Sequence, residues 1–226
     1  MLELRMYALM IAVVLATTGC GSSTSDDAEL MAQASVEGSV LSSSGFPTGA
    51  ISMAPTLTYV GRDLFVLYGV ASCEIHLFVE AARDGRVLRL YWFQFEGYLP
   101  SWIPRSYDYS DDAYRTPIGD KEFYDSVSYY NVTDSRDEWR ADSDIMHVIR
   151  LLKSQGYRLE DDVMRIRFVH LDEEKKKELM IIYMEDLAQH DLTVSRFDGP
   201  EGQSRWDDIQ AAMRVRALSG MTIDIK

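Results

Sequence analysis

Glu74 and His76 stand two residues apart in a stretch that reads as a strand, so both side chains point to one face. A carboxylate beside an imidazole can take up and return a proton, the minimum for acid–base chemistry. The same pair would equally make a satisfied polar contact at a sheet edge, and that is the reading we prefer. His170 and Glu185 give a second such combination on the two arms of a later hairpin, several residues out of step. Cys73 precedes Glu74, but a nucleophilic thiol needs a depressed pKa and a base at hand. Its apolar strand neighbours Ile75 and Leu77 predict a buried, inert sulfur instead.

Asp108-Tyr109-Ser110-Asp111-Asp112 has the alternating oxygens of a calcium loop. Ala113 stands where such a loop needs glycine, and Gly119 where it needs a bidentate glutamate. No metal is therefore expected. The four histidines, His76, His147, His170 and His190, share no ligand spacing. GxSxG, HExxH, CxxC and phosphate-loop patterns are all missing from the sequence. No cofactor is expected, and the balance leans away from an enzyme.

Tyr98–Arg140 is the segment best suited to hold a ligand. It carries 10 of the chain's 25 aromatic residues with nine carboxylates among them. Rings that stack beside oxygens that orient suit a sugar or a cationic peptide. Trp102, Tyr107, Tyr109, Asp111 and Asp112 are the candidate contacts. The preferred alternative is that these aromatics plug an apolar sheet face.

That face is set by the elements that must position Glu74 and His76. Asp84-Gly85 is a hairpin turn signal of the I′ type between two extended segments. Folding around it pairs Arg83 with Arg86, Glu80 with Arg89, Val79 with Leu90, Leu77 with Trp92 and Ile75 with Gln94. Cys73, Ile75, Leu77 and Val79 then face the core with Leu88, Leu90 and Trp92. The opposite side shows Glu74, His76 and Phe78 with Tyr91, Phe93 and Phe95, too aromatic to stand in water uncovered. A second hairpin, Val163–Leu171 with Lys177–Leu187, brings Met164, Ile166 and Phe168 across from Glu185, Tyr183 and Ile181. Helices are expected over Asp142–Gln155, with stripe Ile145, Ile149 and Leu152, and from Ser204, with stripe Trp206, Ile209, Met213 and Ala217. Leu64–Val70 and Thr222–Ile225 complete the strands. Hairpins interspersed with two or three packing helices give an α+β class with a mainly antiparallel sheet.

Ala8–Ala16 is unbroken apolar sequence, far shorter than the roughly 20 residues a membrane span requires. It has the length of a signal-peptide core. Thr17-Thr18-Gly19-Cys20 follows it, and the whole resembles the lipobox leader of bacterial lipoproteins. The resemblance implies a signal peptide over 1–19, cleavage before Cys20 and acylation of that cysteine. Gly21 rather than aspartate after it implies the outer membrane, facing the periplasm. The competing reading is an ordinary secretory signal cut nearby. Residues 20–55 follow as the lipidated cysteine and a flexible tether, because 15 of the 35 residues from 21 to 55 are Gly, Ser or Thr. A single globular domain is expected over 56–226. With Cys20 acylated, Cys73 has no disulfide partner.

The net charge of -13 argues against nucleic acid, whose affinity comes from basic residues neutralising phosphates. It argues equally against adhesion to anionic headgroups. The expectation is a lipid-anchored extracytoplasmic domain of binding or envelope-structural type, its partners the membrane through the anchor and a glycan or envelope protein. The alternative is a hydrolase acting on envelope polymers through a carboxylate–histidine pair.

Overall fold

Alternating side chains along 71–98 and 162–186 fold both stretches into long hairpins, and these lie side by side at the centre of the molecule. The computed structural model describes residues 32–102, 104–110, 114–197 and 199–226. Three short strands come first, β1 (Ala34–Glu37), β2 (Val40–Ser43) and β3 (Gly49–Met53), and a fourth, β11 (Met221–Ile225), follows all other elements. They form one antiparallel sheet in the order β1-β2-β3-β11. The larger sheet is built from β4 (Thr58–Leu67), β5 (Ala71–Ala81), β6 (Val87–Tyr98), β7 (Tyr114–Ile118), β8 (Lys121–Asn131), β9 (Asp162–Leu171) and β10 (Lys177–Asp186). Its order is β4-β5-β6-β10-β9-β8-β7, with every neighbour antiparallel. The helices are α1 (Val132–Arg136), α2 (Asp144–Ser154), α3 (Val194–Phe197) and α4 (Pro200–Ser219). The class is α+β, as the hairpin pattern implied.

Both central hairpins have the expected pairing. Ile75 lies opposite Gln94, Leu77 opposite Trp92, Val79 opposite Leu90 and Glu80 opposite Arg89. Met164, Ile166 and Phe168 lie opposite Glu185, Tyr183 and Ile181. The first turn differs from expectation: Gly85 N–H donates to Ala82 O, and Ala82 N–H to Arg86 O, so three residues form the loop and Arg83 does not pair with Arg86. Gly85 takes φ +83°, and a β-carbon there would lie 2.4 Å from Gly156 O. An extra residue in β6 beside Glu80 and Ala81 restores the register.

The large sheet separates two cores. On one face Phe78, Tyr91, Phe93, Phe123, Phe168, Ile181 and Tyr183 pack under the small sheet and α4. On the other, Ile75, Leu77, Leu90, Trp92, Val169 and Ile182 pack under α2, which buries Ile145, Val148 and Leu152. Val148 replaces the expected Ile149, which is only half-buried. α4 begins at Pro200, ahead of the expected Ser204, with proline in its first turn. Met213 and Ala217 are its buried stripe, with Trp206 and Ile209 packed at the edge.

Two expectations are corrected. The chain from Ala34 to Met53 is strand, not tether: Ala34, Leu41, Ile51 and Met53 point inward at period two and are buried against the aromatic face. The plug over that face is therefore this small sheet with α4, not the aromatics of 98–140. Residues 1–31, with the leader and Cys20, lie outside the described residues, as do Asp111 and Asp112.

Candidate functional site

Glu74 and His76 do meet. Their parity on β5 puts them on the aromatic face, and His76 Nε2 lies 2.9 Å from Glu74 Oε1. His76 Nδ1 lies 3.0 Å from the Tyr59 hydroxyl on β4. A neutral imidazole satisfies both in one tautomer, with Nε2–H donating to the carboxylate and Nδ1 accepting from the phenol. Carboxylate, imidazole and hydroxyl thus stand in line, the order of a proton relay. Burial raises the Glu74 pKa, but hydrogen bonds from His76 and from the Gln33 and Ala34 N–H groups outweigh it and hold the carboxyl below its usual range. Those amides lie at 2.6 and 3.3 Å and lead directly into β1. Glu74 is 2% and His76 0% exposed, so the relay is closed under the small sheet that it fastens.

The other anticipated pair does not form. His170 sits between Phe46 and Phe123, with Nδ1 3.2 Å from Glu122 O, because it lies opposite Leu179, far along β10 from Glu185. Glu185 instead collects three partners: His190 Nε2 at 3.0 Å, a bidentate Arg216 from α4 at 2.7 and 2.8 Å, and the Tyr183 hydroxyl. Burial opposes ionisation, yet these partners hold its carboxyl at about 2. Asp125 and Arg214 make a second bidentate bond between the sheet and α4, at 2.8 and 3.0 Å. Tyr91 donates to Ala217 O at 2.9 Å.

The aromatic segment closes over the opposite face. The Trp102 indole N–H donates to Gly69 O at 3.0 Å, with the Arg105 guanidinium over its ring. Tyr107 stacks on Tyr98 and donates its hydroxyl to Glu96 at 2.9 Å. Tyr109 donates to Glu178 at 2.8 Å with Arg167 over its ring. Tyr107 and Tyr109 therefore point inward, and Asp108 turns back on the Ser110 amide at 3.0 Å. Glu96 and Glu178 are direct cross-strand partners on β6 and β10. Both were missed in the sequence, though a signal existed: Gln94 and Glu96 continue the apolar parity of Leu90 and Trp92 into the core. Burial pushes the Cys73 thiol up and the charge of Glu96 adds to it, so that sulfur is the inert one expected. Among the described residues no group of three His, Cys, Asp or Glu side chains is placed to hold a metal ion.

A mainly antiparallel α+β domain with buried polar clusters on both faces of its large sheet is thus the class the geometry defines. Compared with known proteins, the chain matches no protein-family model, no curated protein and no solved structure.

Proposed function

We propose that this chain is a bacterial lipoprotein, acylated on Cys20, whose folded part serves as a binding or structural module of the cell envelope. The leader supports the address: an apolar core of signal length, small residues, then cysteine. The observation that carries the non-hydrolytic half is the position of Glu74 and His76. A substrate would have to lift β1 off Glu74 before meeting either group, and the carboxylate would lose two backbone donors in the exchange. Gly21 to Gln33 are thirteen residues, spanning at most about 45 Å, so the domain works close to its lipid. With a net charge of -13, its partner is a neutral glycan or an envelope protein rather than a nucleic acid or bare anionic lipid.

Expression of the full chain in a bacterial host, followed by intact-mass analysis, tests the anchor. The expected product begins at Cys20 and carries acyl chains, and a Cys20→Ala chain loses both processing and detergent partitioning. A retained leader or a bare thiol at position 20 overturns the assignment. Crosslinking in whole envelopes, read by mass spectrometry of proteins and glycans, then names the partner.

A further inference from the structure

Glu96 and Glu178 face each other across neighbouring strands, and both are buried. Each accepts a hydroxyl hydrogen bond from one tyrosine of the same irregular segment, Tyr107 and Tyr109. Its hydrogen bonds to turn residues include Leu99 N–H to Val70 O, Trp102 Nε1–H to Gly69 O, Tyr107 N–H to Lys175 O and the Lys176 ammonium to Arg105 O, while the two tyrosine rings also rest on Tyr98, Tyr124 and Arg167 of the sheet. The two carboxyls are thus its deepest attachment.

The surrounding charge does not balance. Asp144 at the start of α2 acts on both acids, and Arg167 on β9 acts on Glu178 and Asp144. Arg165, also on β9, acts on Asp144, as does His147, which is itself bonded to Asp63 at 2.7 Å. Cys73 on β5, Tyr98 on β6 and Tyr68 in the β4–β5 turn are neutral neighbours. Among the described residues, the groups that act most strongly on one another here are three carboxyls and two guanidiniums, with Arg105 and Arg140 further out beside Tyr98 and Tyr68. A buried site does not keep an uncompensated charge, so one proton stays with the acids. The other close contact to Glu96 is Gln94, whose Nε2 donates to Glu96 Oε2 at 2.7 Å.

We propose that Glu96 and Glu178 form a proton-operated latch, holding the Tyr107–Tyr109 segment shut while one proton is shared between them and releasing it when that proton leaves. Loss of the proton puts two like charges on directly opposed residues of neighbouring strands in a buried site, and opening the segment admits water to both. Burial pushes Glu178 well above the ordinary carboxyl range, with the Glu96 charge adding to it, and burial raises Glu96 as well. In the open state both acids are solvated and titrate near about 4.3. Closure is therefore firmest below that value and weakens as pH climbs toward the raised values.

Hydrogen exchange on the full chain in detergent, from about pH 5 to about pH 8 and corrected for intrinsic rates, tests the latch. Protection over residues 99–102 and 104–110 is expected to fall by up to tenfold per pH unit (about one proton released on opening) while β5 and β9 stay protected. Glu178→Gln balances the charge and flattens that slope. Tyr109→Phe lowers protection at every pH and keeps the slope. A flat wild-type profile, an unchanged slope in Glu178→Gln, or wild-type protection in Tyr109→Phe would each overturn the proposal.

Discussion

On the face under α4 and the small sheet, Glu74 and Glu185 each meet an imidazole and further donors, and both carboxyls lie below their usual range. On the face under α2, Glu96, Glu178 and Asp144 crowd together, and burial pushes all three above it. One sheet thus buries acid in two ways. On the first face the charged form is the partner that tethers other elements: β1 through Glu74, α4 through Glu185. On the second, Glu96 and Glu178 lie directly opposite each other, and the element they tether through Tyr107 and Tyr109 is an irregular segment rather than a helix or strand. The contrast teaches that burial alone does not set the direction of a carboxyl's pKa; the donors supplied by the covering element decide it.

The largest test of this contrast is Arg216→Met. It leaves the buried Glu185 charge without its guanidinium and is expected to cost about 3–5 kcal/mol in urea denaturation near neutral pH. The folded pKa of Glu185 is depressed to about 2. Its contribution is therefore present above the unfolded value, about 4.3, and is lost as pH falls through that window. The gap between variant and wild type should shrink across the same interval. A cost under about 1 kcal/mol at neutral pH would show that the first face does not depend on ionised acid.

Glu74→Ala comes next. It strands the Gln33 and Ala34 amides and the His76 N–H, at an expected cost of about 2 kcal/mol. Amides of β1 and β2 should exchange faster while β9 and β10 hold. Uniform exchange would mean that the carboxylate does not fasten the small sheet. The smallest effect is expected from Arg158→Ala, which removes an exposed contact to Asp84 at 2.7 Å. The denaturation midpoint should stay in place, giving the surface reference for the other two.

The two central hairpins were legible because their signals are local. Asp84-Gly85 and the charged Asp172–Lys176 loop fix registers that alternation then carries for ten residues. The small sheet was not legible. Its apolar content is thin, Leu41, Ile51 and Met53 among serines and glycines, and its last strand comes from the far end of the chain. Glu74 and His76 could be found because two-residue spacing on a strand guarantees a shared face. Glu96 and Glu178 belong to strands joined only by the β6–β10 pairing, some eighty residues apart, and no local pattern announces that contact. The aromatics at 107 and 109 stood out by composition, but composition does not tell a ring that points inward to a carboxyl from one that waits for a sugar.

β11 deserves a last consequence. Met221–Ile225 pairs with β3 from Met53 to Gly49, and Lys226 N–H closes on Thr48 O. The edge of β3 therefore stays open until residues 221–225, far along the chain from it, have been translated and have emerged. Until then the seam is unsewn, and any segment attached after Lys226 would load a stitch rather than a loose end.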